Sequence, residues 1–161
     1  MSLACDHHKQ NALPADALDQ ALSVAESRCI EAGERWTAPR KRVFELLLRA
    51  GAPVKAYDLI ADYGRDGGED RSIAKPPTIY RALDFLSGMG LVHRIPSLNA
   101  YVACAADEAV HSASFLICDC CGSAEEFDPK VEPVVRAEAE HLGFRPTAMA
   151  LEVRGLCRAC A

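Results

Sequence analysis

The chain has 161 residues, 50% of them hydrophobic, and a formal net charge of −5 from 18 Lys and Arg against 23 Asp and Glu. That length accommodates one large or two small domains with a buried core. No apolar run of about 18 residues occurs, which excludes a membrane-spanning helix, and the acidic average argues against nucleic acid unless the charge is unevenly spread.

It is unevenly spread. Arg35, Arg40, Lys41, Arg42, Arg49 and Lys55 stand against Glu45 alone, whereas residues 107–140 hold only Lys130 and Arg136 among many acids. A basic first half and an acidic second half predict two domains with different partners, although two ordinary solvated faces would give the same pattern. The opening MSLACDHHKQ lacks the charged-then-apolar design of a secretory signal, so the expected location is the cytoplasm. There the 8 cysteines stay reduced, and clustered pairs point to metal or redox chemistry.

Residues 1–13 read as a flexible tail; its Cys5, His7 and His8 are expected to be adventitious. Leu18, Leu22, Ala25 and Cys29 recur at helical spacing over residues 14–32, with Pro14 suited to the start and Gly33 to the stop. A second helix opens with Thr37 as N-cap and Pro39 in its first turn, buries Val43, Phe44, Leu47 and Leu48, and ends at Gly51. A short helix from about Ala56 to Tyr63 and a Gly-rich charged loop follow. KPPTIYRALDFLSGMG is the next helix: Ile79, Leu83 and Leu86 face the core, while Thr78 and Arg81 project elsewhere. LVHRI, the turn PSLN and AYVAC form a β-hairpin.

Helix, short helix, helix, hairpin is the order of a winged helix-turn-helix, whose last helix enters the major groove of DNA. A small helical domain with an incidental hairpin is the alternative. After residue 105 come two strands around a knuckle (SASFLICD and GSAEEFD), a helix ended by Gly143, and the strand AMALEVRGLC. The predicted fold is α+β, a winged-helix DNA-binding domain over 14–104, a hinge over 105–111, and a small α/β domain over 112–161.

CDCC contains Cys118-x-x-Cys121, and GLCRACA contains Cys157-x-x-Cys160. Two-residue spacing lets both thiolates of a turn meet one tetrahedral ion, so the two pairs predict a four-thiolate zinc site; unrelated turns or a disulfide are the alternatives. With no open coordination position, such a zinc is structural. Cys120 is then the spare thiol of the first knuckle, and Cys29 on its apolar helix face is core.

Over roughly residues 20–160 the chain resembles the ferric uptake regulator family, most closely its zinc uptake branch. AKPPTIYRALDFLSGMGLVHRIPSLNAYVAC, LICDCCG and the terminal GLCRAC carry the resemblance. It implies a homodimeric, metal-sensing repressor of zinc uptake genes whose second domain dimerises and whose partner is double-stranded operator DNA. It also implies a second, sensing zinc, hence two ions per chain, held by His93, Cys104, His111 and Glu126, with Glu125 the alternative to Glu126. A thiolate beside nitrogen and oxygen ligands suits zinc better than iron or manganese. For DNA it points to Arg40, Lys41 and Arg42 on phosphates and to Tyr57, Thr78, Tyr80 and Arg81 at the groove, Arg81 as a reader of guanine. The family's turn before its phosphate-contacting arginine is here TAPR, and the loop of residues 64–74 is longer than in close relatives. An iron or peroxide sensor is the nearest rival. A zinc enzyme is disfavoured, because four ligands leave no open position and no HExxH occurs; the recognition helix disfavours a metal buffer. No small-molecule substrate is expected.

Overall fold

A computed structural model describes residues 13–65, 75–104, 113–147 and 149–161. The chain divides into two compact units, over residues 1–110 and 111–161. The tail cysteine and histidines and His111 lie outside the described residues, as does most of the charged loop.

The first unit is α1 (Ala15–Glu31), α2 (Ala38–Ala50), β1 (Val54–Lys55), α3 (Ala56–Tyr63), α4 (Pro76–Gly88), β2 (Val92–Ile95), a 3-10 turn (Pro96–Leu98) and β3 (Ala100–Ala103). The apolar stripes read from the sequence meet in one core: Ala25 and Cys29 of α1, Val43, Phe44 and Leu47 of α2, Leu59 of α3, and Ile79, Leu83 and Leu86 of α4 are buried together. Thr37 occupies the N-cap of α2 but makes no side-chain capping bond. The other end closes as expected: Gly51 adopts φ 56°, and its N–H donates to the Leu47 carbonyl at 3.3 Å, a left-handed cap that a Cβ would strain.

The wing is a three-stranded sheet in the order β1-β3-β2, not a bare hairpin. In it Val54 pairs with Tyr101, which pairs on its other side with Arg94. Antiparallel partners share a face and successive residues alternate. Val92, Tyr101 and Ala103 therefore face the helical core, and His93, opposite Val102, faces away from it.

The second unit is β4 (Ser114–Cys118), β5 (Ala124–Phe127), α5 (Glu132–His141) and β6 (Leu151–Gly155). Its sheet is mixed: β4 is central, antiparallel to β5 and parallel to β6. The parallel pairing requires a crossover, which α5 supplies. Ser114 pairs with Leu151 and Cys118 with Gly155, so β4 and β6 end side by side and each delivers a cysteine knuckle to the same end of the sheet. Among the described residues of this unit only a few side chains are buried, including Phe115, Ile117, Cys118 and Cys121, and α5 buries none.

Candidate functional site

The thiols of Cys118, Cys121, Cys157 and Cys160 lie within 4.8 Å of one another. The first knuckle turns back through Gly122, at φ 72°, whose N–H donates to the Cys118 carbonyl at 2.9 Å. The second closes with the Cys160 N–H on the Cys157 carbonyl at 2.9 Å. Sγ of Cys121 and Sγ of Cys157 are 3.8 Å apart. That is far from a disulfide and equals the sulfur–sulfur edge, about 3.8 Å, of a tetrahedron with zinc–sulfur bonds of about 2.3 Å.

The protein also prepares the charge. Backbone N–H groups of Cys121 and Cys157 point at Sγ of Cys118, at 3.5 and 3.3 Å, and pull its pKa down to about 6. The Ser123 hydroxyl, 3.1 Å from Sγ of Cys121, lowers that thiol as well. Burial, followed by the neighbouring sulfurs, pushes Cys160 upward. Four thiols this close cannot all ionise without a cation between them, so the donor set fits a soft divalent ion such as zinc. Cys120 is exposed and stands outside the four.

Sequence reasoning missed the support around this cluster. Asp119, inside the first knuckle, accepts two hydrogen bonds from Arg154, and its N–H donates to the Gly155 carbonyl at 2.7 Å. Ser123 was equally unmarked; a hydroxyl two residues past a CxxC knuckle was the available signal.

In the first unit the hairpin brings His93 and Cys104 together. His93 pairs with Val102, and the Cys104 N–H donates to the Leu91 carbonyl at 2.9 Å. A ring nitrogen of His93 and the Cys104 sulfur lie within 4.8 Å. In the second unit, Glu126 pairs with Phe115 and so shares the face of Phe115 and Ile117, whereas Glu125 is opposite the exposed Leu116.

The basic residues of α2 are not equivalent. Arg40 has its guanidinium 3.2 Å from the centre of the Phe85 ring, hydrogen-bonds the Arg35 carbonyl and is only 24% exposed. Arg42 pairs with Glu45 at 3.1 Å. Lys41 is exposed. On α3 and α4, Tyr57 is 79% exposed and Tyr80 47%. Arg81 is exposed, and Thr78 half-buried in the first turn of α4.

A winged helical unit followed by a mixed-sheet unit carrying four convergent thiols is the architecture of a metal-binding helix-turn-helix protein. Comparison with known proteins narrows it. The profile of the ferric uptake regulator family matches residues 31–154. The zinc uptake regulation protein of Escherichia coli (strain K12) is 38% identical over 143 residues, 88% of this chain and 81% of that one. Among solved structures, holo XcZur is 45% identical with a TM-score of 0.78, over 88% of this chain and 96% of that chain. A zinc uptake regulator solved in complex with zinc and DNA is 36% identical with a TM-score of 0.81, over 88% and 93%. The chain belongs to the ferric uptake regulator family.

Proposed function

We propose that this chain is a zinc-responsive transcriptional repressor that binds double-stranded operator DNA as a homodimer when zinc-loaded and lowers the expression of zinc uptake genes. Membership in a family of regulators sets it apart from enzymes. Two zinc ions per chain are assigned. Cys118, Cys121, Cys157 and Cys160 hold the structural one, and His93, Cys104, His111 and Glu126 the sensing one. Among the described residues no helix is long and apolar enough to cross a membrane; the cytoplasm is the assigned location.

The observation that carries the sensing role is the His93–Cys104 pair at the base of the wing, a nitrogen and a thiol within bonding reach of one ion. The thiol selects zinc over iron. An ion shared with ligands of the second unit would fix the angle between units, and so the spacing of two recognition helices about one helical turn of DNA apart. Zinc and DNA then tighten each other's binding equally, and a full switch needs roughly 5.5 kcal/mol of differential affinity. Exposed apolar residues of the second unit, including Val134, Val135, Leu142 and Val153, support burial against a second copy. Lys41, with Arg40 and Arg42, would meet phosphates, the latter two by sharing or leaving their internal partners. Tyr57, Thr78, Tyr80 and Arg81 would face the groove.

Zinc-titrated binding to the upstream DNA of zinc uptake genes tests the proposal. The wild type should bind in step with zinc, and His93→Ala and Cys104→Ser should lose that dependence. Operator binding by the wild type that ignores zinc would overturn it; a response to iron in place of zinc would make the chain an iron sensor.

A further inference from the structure

The cations of the first unit divide into two sets. Arg42 and Arg49 pair with Glu45, Arg65 pairs with Asp62, and Arg40 is folded over Phe85. Arg94 belongs to the other set: it is exposed, and among the described residues it meets no acid. It is nevertheless held. Its terminal nitrogen donates to Oδ1 of Asn99 across the wing turn at 3.1 Å. Asn99 adopts the left-handed conformation, φ 47° and ψ 44°, and its own N–H closes the 3-10 turn on the Pro96 carbonyl at 3.1 Å. Non-glycine residues rarely adopt this conformation, Asn more readily than most. Here it aims the carboxamide back along the hairpin.

Register decides where the guanidinium emerges. Arg94 is opposite Tyr101, which is opposite Val54, and it alternates with Val92. It is therefore on the helix-facing side of the sheet, past the point where Tyr101 closes the core. The opposite side carries His93. A cation with no acidic partner among the described residues and a side chain already ordered loses little entropy on meeting an anion, and it lies on the sheet face turned towards the helical core.

We propose that Arg94 is a phosphate contact of the wing on duplex DNA and that Asn99 is its positioning residue. This rests on the DNA-binding reading above. A contact of this kind adds affinity and orientation without reading sequence.

The test measures binding of the full-length protein, in excess zinc, to operator DNA and to an unrelated duplex of equal length across a range of salt. The variants are Arg94→Gln, Asn99→Gly and their combination; glycine keeps the left-handed turn while removing the carboxamide. For each chain bound, Arg94→Gln should weaken both DNAs alike, roughly eightfold at 0.1 M salt, and reduce the salt slope by about 0.9. Asn99→Gly should weaken both less, leave the slope unchanged, and have no added effect in the Arg94→Gln background. Wild-type affinity and slope in Arg94→Gln would overturn the proposal. So would loss of operator binding alone, which would make Arg94 a base reader, or a deficit abolished by more zinc, which would place the effect at His93. Failure of the wild type to bind either DNA would instead remove the functional reading itself.

Discussion

Arg154 grips Asp119 through two of its nitrogens, both on Oδ1, at 2.8 and 2.6 Å. One residue sits inside the first cysteine knuckle and the other three positions before the second, so the pair clamps the two turns together 35 residues apart in sequence. Both side chains are about half exposed, and the ion pair itself contributes less than about 1 kcal/mol. Its effect is on the metal. Outer partners of metal ligands typically alter affinity by about 10- to 100-fold. Asp119→Asn is expected to bind zinc in the same stoichiometry but release it about tenfold faster to a chromophoric chelator. An unchanged release rate would reduce the clamp to surface decoration.

The four-thiolate cluster should be the fold of the second unit as much as a feature of it. With few buried side chains and a helix that buries none, little apolar burial remains once the metal is removed. Structural zinc contributes on the order of 10 kcal/mol or more to small domains. Cys157→Ser, or a strong chelator on the wild type, should abolish protease resistance of residues 113–161. The single tryptophan, Trp36, packs edge-on against Phe44 in the first unit, and its fluorescence should stay unchanged.

The helices and the cysteine knuckles were legible because their signals are local. Ile79, Leu83 and Leu86 declare one face by spacing, and Cys118-x-x-Cys121 declares a turn. The two-residue β1 was not: it is too short for any periodicity, and only its pairing with Tyr101 and Ala100 makes it a strand. Arg40 is one basic residue among its neighbours in the sequence, and only Phe85, on another helix, reveals that it also braces α2. The resemblance favours Glu126 over Glu125, but only strand register separates their faces and puts Glu126 on the side of Phe115. Each of these placements depends on a residue distant in the chain.

Glu45 gives the first unit a defined pH dependence. Burial alone would raise its pKa, but the hydrogen bonds from Arg49 and Arg42, at 2.7 and 3.1 Å, outweigh it and hold the carboxyl below its ordinary value. A folded pKa below the unfolded one stabilises the fold above the unfolded pKa, near 4.3, and the gain is lost as pH falls through the folded value. Glu45→Gln should therefore cost about 1 kcal/mol at pH 7 in urea unfolding followed by Trp36 fluorescence. The gap to wild type should narrow below about pH 4.3. A constant gap would assign the cost to packing.

Arg40 and Lys41 are adjacent yet should fail differently. The Arg40 guanidinium covers the Phe85 ring and ties the start of α2 to α4 and to the Arg35 carbonyl. A partly desolvated cation–π contact is worth about 1–2 kcal/mol. Arg40→Ala should lower the melting temperature of the Trp36 transition by several degrees, since about 1 kcal/mol shifts a domain of this size by roughly 4–8 °C. Lys41 is exposed and makes no such contact, so Lys41→Ala should melt like the wild type and instead lose DNA affinity, with a salt slope smaller by about 0.9 per chain. Arg40→Ala should lose DNA affinity as well, because Arg40 is also assigned to phosphate; if it binds DNA poorly yet melts normally, the stacked guanidinium is no brace between helices.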